Sequence, residues 1–126
     1  MIKGLESILI GSQKASKLAD FYTKTVGLKK GSTWVNDENG EEGIELFVGK
    51  QGIYVMDHSK VKGKAKDPNR VILNIEVDDV EKETKRLKKA KVKVVQDVYH
   101  MEGYGLIATF ADPEGNYFQF VQVKAK

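Results

Sequence analysis

A chain of 126 residues, 40% of them hydrophobic, is long enough to bury one core and gives no sign of two independent domains. It contains no cysteine, which excludes a disulfide framework, a thiol nucleophile and a thiolate metal site. Its net charge of +3 sets 21 Lys and Arg against 18 Asp and Glu; with Lys3, Glu6 and only a short apolar run before Ser12, the N-terminus matches neither a secretory signal nor a membrane span, so a cytoplasmic location is expected.

In chain order, residues 5–10 have strand character and Gly11-Ser12 breaks it. Ala15, Leu18, Ala19, Tyr22 and Val26 then recur at helical spacing, which predicts a helix over about 13–26 with Ser12 as cap and Gly27 as stop. A short strand ends at Trp34-Val35, residues 36–40 form a turn cluster, and strands follow over 43–48 and 53–57. Residues 58–69 carry glycine, proline and lysines without apolar periodicity and read as a linker. Beyond it, residues 70–77 are rich in β-branched side chains. Asp79 can cap a helix with Val80, Thr84 and Leu87 on one face, and three strands are predicted over 92–99, 106–111 and 117–123. The last of these follows Asp112-Pro113-Glu114-Gly115-Asn116, a turn in which proline fixes φ and Gly115 can take the positive φ that closes a hairpin. Strand, helix and three strands are thus read twice, as module one (about 1–57) and module two (about 70–126).

Alternate strand residues point to opposite sheet faces, so parity separates two sets. Ile8, Ile10, Ile53, Val55, Val71, Leu73, Ile75, Val77, Phe118 and Phe120 are apolar and are expected under the helices. Ser7, Leu9, Tyr54, Met56, Ile72, Asn74, Glu76, Gln119 and Val121 form a mixed face. Polar groups buried without partners cost on the order of 1–3 kcal/mol each, so that face is expected to meet water or a ligand. The linker lysines Lys60, Lys62, Lys64 and Lys66 and the basic run from Lys82 to Lys93 are expected to be solvated. Nucleic-acid binding is the lesser reading of them, since no aromatic stacking motif accompanies the lysines.

The double plan, the segment KLADFYTKTVGL (17–28) and the closing DPEGNYFQFVQ (112–122) resemble the vicinal oxygen chelate superfamily, which includes glyoxalase I, bleomycin-resistance proteins and extradiol dioxygenases. The resemblance implies an α+β fold of two βαβββ modules. These would form one glyoxalase-like domain with a curved mixed eight-stranded sheet around a concave cavity, commonly completed in a homodimer. It also implies that metal-dependent members draw His and Glu ligands from the first and last strands of each module. Counting back from Phe21 reaches Ser7, back from Val77-Asp78 reaches Ile72 and forward from Asp112 reaches Gln119, with Tyr54 the candidate on the fourth strand; these lack imidazole and carboxylate, so no metal cofactor is expected. A shift that recruits Glu6 or Glu76 turns the side chain toward the helix face or leaves one carboxylate alone.

His58 and His100, with Asp57 and Glu102, are the alternative acid/base or off-pattern metal set, though no ligand spacing supports them. Trp34, Tyr99 and Tyr104 are weighed as pocket, core or interface residues, and Tyr54 is placed in the cavity. The expected function is metal-independent binding of a small organic molecule, with Ser7, Tyr54, Asn74, Glu76 and Gln119 as polar contacts and Leu9, Met56, Ile72 and Val121 as apolar walls. Bleomycin sequestration is one such activity, although a pI of about 9.0 suits a cationic drug poorly unless Glu45 and Glu76 offset it locally. The alternative is a metal-dependent lyase, isomerase or dioxygenase with displaced ligands, its metal acting as a Lewis acid on paired substrate oxygens.

Overall fold

The computed structural model describes residues 1–123, which gather into two compact units, Met1–Gly63 and the chain from Lys64 onward. In the first unit β1 (Ser7–Ser12) leads to α1 (Ala15–Asp20), which continues as a π-helical stretch (Phe21–Val26). β2 (Lys29–Val35), β3 (Glu42–Val48) and β4 (Gln51–Asp57) follow. The strand order is β1-β4-β3-β2, with β1 parallel to β4 and the other pairs antiparallel. The second unit repeats it: β5 (Leu73–Glu76), α2 (Val80–Lys89), β6 (Lys93–Met101), β7 (Gly105–Ala111) and β8 (Tyr117–Val123), in the order β5-β8-β7-β6 with β5 parallel to β8. Each unit is a βαβββ module, and the fold class is α+β as expected.

Alternation puts Ile44, Leu46, Ile53 and Val55 on the helix face of the first sheet, where α1 lies against β3 and β4 and buries Leu18 and Ala19. The helix starts two residues later than Ser12 implied. Asp57, at the end of β4, accepts the Ala15 N–H at 2.7 Å through Oδ1 and the Glu42 N–H at 2.9 Å through Oδ2, so a remote carboxylate caps the helix. Ser12 Oγ accepts the Lys14 N–H, at 3.0 Å. At the far end the N–H groups of Gly27 and Leu28 both reach the Tyr22 carbonyl, at 2.9 and 2.8 Å, and Gly27 takes φ +104°.

In the second unit Asp79 Oδ1 accepts the Lys82 N–H at 3.0 Å, and Gln122 Oε1 on β8 accepts the Val80 N–H at 2.9 Å, pinning the start of α2 to the sheet. Glu81 and Glu83 in the first turn and Arg86, Lys88 and Lys89 in the last suit the helix dipole. Beneath the helix Val80, Thr84 and Leu87 are buried, and the sheet's helix face carries three mutually packed rings, Phe110, Phe118 and Phe120, with centroids 5.4–6.0 Å apart. The Asp112 turn forms as read: Oδ1 accepts N–H bonds from Glu114 and Asn116, and Oδ2 accepts one from the Asn116 amide.

Two expectations change here. β5 spans four residues rather than eight, and Val71, expected under a helix, is 72% exposed. In the register Leu73↔Phe118, Val71 would fall opposite Asn116, which is committed to the Asp112 turn, so pairing ends and Ile72 lies just before the strand. β1 begins at Ser7 rather than Leu5, leaving Glu6 outside the alternation that was to turn it toward the helix.

Candidate functional site

The face of the first sheet away from α1 is built by register. Leu9 pairs with Tyr54 and Tyr54 with Glu45; Gly11 pairs with Met56, Met56 with Gly43 and Gly43 with Trp34. Across this face the Trp34 indole meets the Tyr54 ring edge to face, centroids 5.6 Å apart at 67°. Two glycines make the arrangement possible. A Cβ at Gly43 would lie 2.2 Å from the indole ring, and one at Gly31 would lie 2.7 Å from Glu45 Oε1 and from Phe47 Cε2. Trp34 and Glu45 are therefore laid flat over backbone that carries no side chain.

Glu45 Oε1 also accepts the Ser32 N–H at 3.3 Å. The Tyr54 phenol donates to the Glu45 carboxylate, which holds its pKa above the ordinary tyrosine value, and the negative charges of Glu45 and Glu6 act in the same direction. The charge of Glu6 thus reaches Tyr54, and its Oε1 accepts the Ser7 hydroxyl at 2.5 Å. Of the residues expected at the site, Ser7, Tyr54 and Met56 are half-buried here and Leu9 is 61% exposed.

The second sheet gathers the others. Thr109 Oγ1 donates to Gln119 Oε1 at 2.7 Å, and Gln119 Nε2 donates to Asn74 Oδ1 at 2.6 Å, so a one-way ladder crosses β7, β8 and β5 and ends on the Asn74 amide nitrogen. Glu76 is exposed and stands opposite Val121, which is buried at 2% and offers little wall to a ligand. Ile72 is half-buried ahead of β5. The predicted residues thus fall into two sets, one per unit. Sequence reasoning missed Thr109 altogether, and the meeting of Trp34 with Tyr54 depended on a β2 register broken between Lys30 and Thr33.

The four positions that the resemblance implies for metal ligands carry neither imidazole nor carboxylate. Ser7 is engaged with Glu6, the Tyr54 phenol is made harder to ionise, Ile72 has no donor atom, and Gln119 Oε1 is taken by Thr109. Both Asp57 oxygens hold backbone N–H groups. His58 is exposed, and its Nδ1 accepts the Lys60 N–H at 3.1 Å. His100 and Glu102 are exposed at the end of β6 and in the turn after it. Among the described residues no group of three or more His, Asp or Glu side chains is arranged to hold a metal ion.

A concavity of about 230 Å³ opens in the first unit between α1, β2 and β3, its lining including Ser16, Asp20, Thr23, Lys30, Trp34 and Gly43. Its polar groups are partly committed already: Thr23 Oγ1 donates to the Ala19 carbonyl at 3.0 Å, and Asp20 pairs with Lys24 at 3.5 Å. No helix among the described residues is long and apolar enough to cross a membrane.

Solved structures share this fold at low identity. A glyoxylase/bleomycin resistance protein/dioxygenase domain from Frankia sp. EAN1pec is 15% identical, with a TM-score of 0.79, over 98% of this chain and 100% of that one. The trypanothione-dependent glyoxalase I of Leishmania major is 19% identical, with a TM-score of 0.77, over 96% and 87%. The fosfomycin resistance protein FosX of Listeria monocytogenes is 17% identical, with a TM-score of 0.76, over 98% and 96%. These likenesses concern the fold. No curated protein sequence matches the chain. The family model of the Glyoxalase/Bleomycin resistance protein/Dioxygenase superfamily matches residues 4–120, and the chain, with its two βαβββ modules, belongs to that superfamily.

Proposed function

We propose that the protein binds a small organic molecule on the open faces of its sheets and does so without a metal ion. The observation that carries this reading is the Trp34–Tyr54–Glu45 arrangement, in which the indole and the carboxylate lie over glycine backbone and the Tyr54 ring meets the indole edge to face, with Leu9 and Met56 beside them. Rings with polar tips, backed by apolar side chains, are the usual lining of a small-molecule site. On the second sheet the ladder from Thr109 through Gln119 to Asn74 presents amide donors that can fix a ligand's orientation.

The test joins metal analysis with binding. The purified protein is expected to carry no stoichiometric Zn²⁺, Ni²⁺, Mn²⁺ or Fe²⁺, and chelators are expected to leave its Tm unchanged, since a metal bound only to the folded state would stabilise it by RT ln(1 + [L]/Kd). Tyr54→Ala and Gln119→Ala are expected to weaken binding of organic fragments without unfolding the sheets. Tight metal uptake abolished by replacing His58, His100 or Glu102 would refute the reading and favour a metal-dependent lyase, isomerase or dioxygenase.

We also propose that the protein acts in the cytoplasm as a homodimer. Exposed apolar side chains at sheet edges, Leu9 on β1 and Val35 on β2, support association. Light scattering that returns a mass near the 14.1 kDa chain at micromolar concentration would refute the dimer.

A further inference from the structure

We propose that the open face of the first module is selective for an organic cation, a flat ring bearing an ammonium, amidinium or guanidinium group. This rests on the small-molecule reading above and adds the chemical class of the ligand. Trp34 and Tyr54 offer ring surface to such a group, and a cation placed over an aromatic face is attracted by the ring quadrupole. Glu45 is the partner of Tyr54 across β3 and β4, and the charge of Glu6, just ahead of β1, also reaches the Tyr54 hydroxyl.

The state of those two carboxylates is what distinguishes the face. The chain carries 21 Lys and Arg, yet the ion pairs among the described residues are Lys24–Asp20, Arg70–Asp67, Arg86–Glu83 and Lys88–Asp97, none of them with Glu6 or Glu45. Instead the two acids accept neutral donors: the Tyr54 phenol and the Ser32 N–H for Glu45, the Ser7 hydroxyl for Glu6. Such bonds orient a carboxylate without cancelling its charge. A basic protein thus keeps one aromatic surface negative. An anion would meet two like charges there, and a neutral ring would gain only stacking.

The 126-residue chain reports on this site directly, because Trp34 is its only tryptophan. Benzamidine, benzamide and benzoate present the same ring with positive, neutral and negative substituents. Benzamidine is expected to change Trp34 emission saturably and to bind about tenfold or more tighter than benzoate, with an affinity that falls as salt is raised. Glu45→Gln, which keeps the shape and removes the charge, is expected to weaken benzamidine about five- to tenfold, and Glu6→Gln, at an exposed position ahead of the strand, about two- to threefold. Each variant's Tm confirms that it folds. Benzoate or benzamide binding at Trp34 as tightly as benzamidine, or indifference of benzamidine to both substitutions, would overturn the inference and leave the small-molecule reading standing. If no fragment of any charge perturbs Trp34 or the Asn74 and Gln119 amide resonances, both fall.

Discussion

Gly43→Ala is the sharpest perturbation of the aromatic face. The three atoms nearest a new methyl all belong to the Trp34 indole, two of them at 2.2 Å, so the ring must leave the sheet. Trp34 is 36% exposed; if about 250 Å² of a tryptophan can be covered, roughly 160 Å² is covered here, and ejecting the ring uncovers on the order of half of that, about 2 kcal/mol. Loss of the edge-to-face contact with Tyr54 adds about 0.5–1.5 kcal/mol. Alanine returns about 0.4–1 kcal/mol by restricting the unfolded chain. The net expectation is a loss of about 2 kcal/mol, or a Tm lower by roughly 8 °C for a chain of this size. In a Trp34→Ala background the obstruction is gone, and the same Gly43→Ala change is expected to stabilise by about 0.4–1 kcal/mol. Thermal and urea unfolding of the four proteins, followed by circular dichroism, measures the cycle. An equal effect of Gly43→Ala in both backgrounds would refute the placement of the indole over Gly43.

Asp57→Ala strips two backbone N–H groups of their acceptor and is expected to cost about 2–3 kcal/mol in chemical denaturation, whereas Asp57→Asn, with one carbonyl oxygen left, loses less. Thr84→Val is expected to raise stability by about 1 kcal/mol, because the Thr84 hydroxyl is buried without a hydrogen-bond partner; a lower Tm would contradict this. The Tyr54 phenol has a folded pKa raised above its unfolded value, so the stability it contributes is fully present below about pH 10 and is lost as pH rises through the folded pKa. Absorbance titration, with Tyr54→Phe to identify the signal, is expected to show late ionisation of Tyr54 that moves back toward the ordinary range in Glu45→Gln.

Much of the architecture was legible because it is written locally. The turn from Asp112 to Asn116 fixes the start of β8, and Asp79 caps α2 from the adjacent position, so both elements begin where the sequence places them. What was not legible depends on residues far apart in the chain. The cap of α1 is Asp57, 42 residues beyond Ala15, and no periodicity near Ser12 signals it. Alternation within β4 was enough to put Tyr54 on the open face. Pairing it with Trp34 required knowing that Trp34 stands opposite Gly43 on a strand whose register slips. Glu6 precedes the strand and is not bound by its parity, so alternation could not place its side chain, which accepts the Ser7 hydroxyl. Asn74 and Gln119 were correctly given one face, but the direction of their hydrogen bond comes from Thr109, which completes the ladder from β7.

The parallel pairing of each module's first and last strands bears on the order in which the modules assemble. Forty-five positions separate Ser7 from its partner Gly52, and the same number separates Leu73 from Phe118. β2–β3–β4 and β6–β7–β8 are meanders closed by short turns, so their ladders can form from near neighbours, while β1 and β5 must each close a loop of the same length and meet the same entropic penalty, which grows as about (3/2)RT ln n. Both modules therefore have a fast meander and a late edge. In native-state hydrogen exchange the amides of β1 and β5 should open before those of β3 and β7, giving the two halves of the chain matching patterns of protection despite their different sequences.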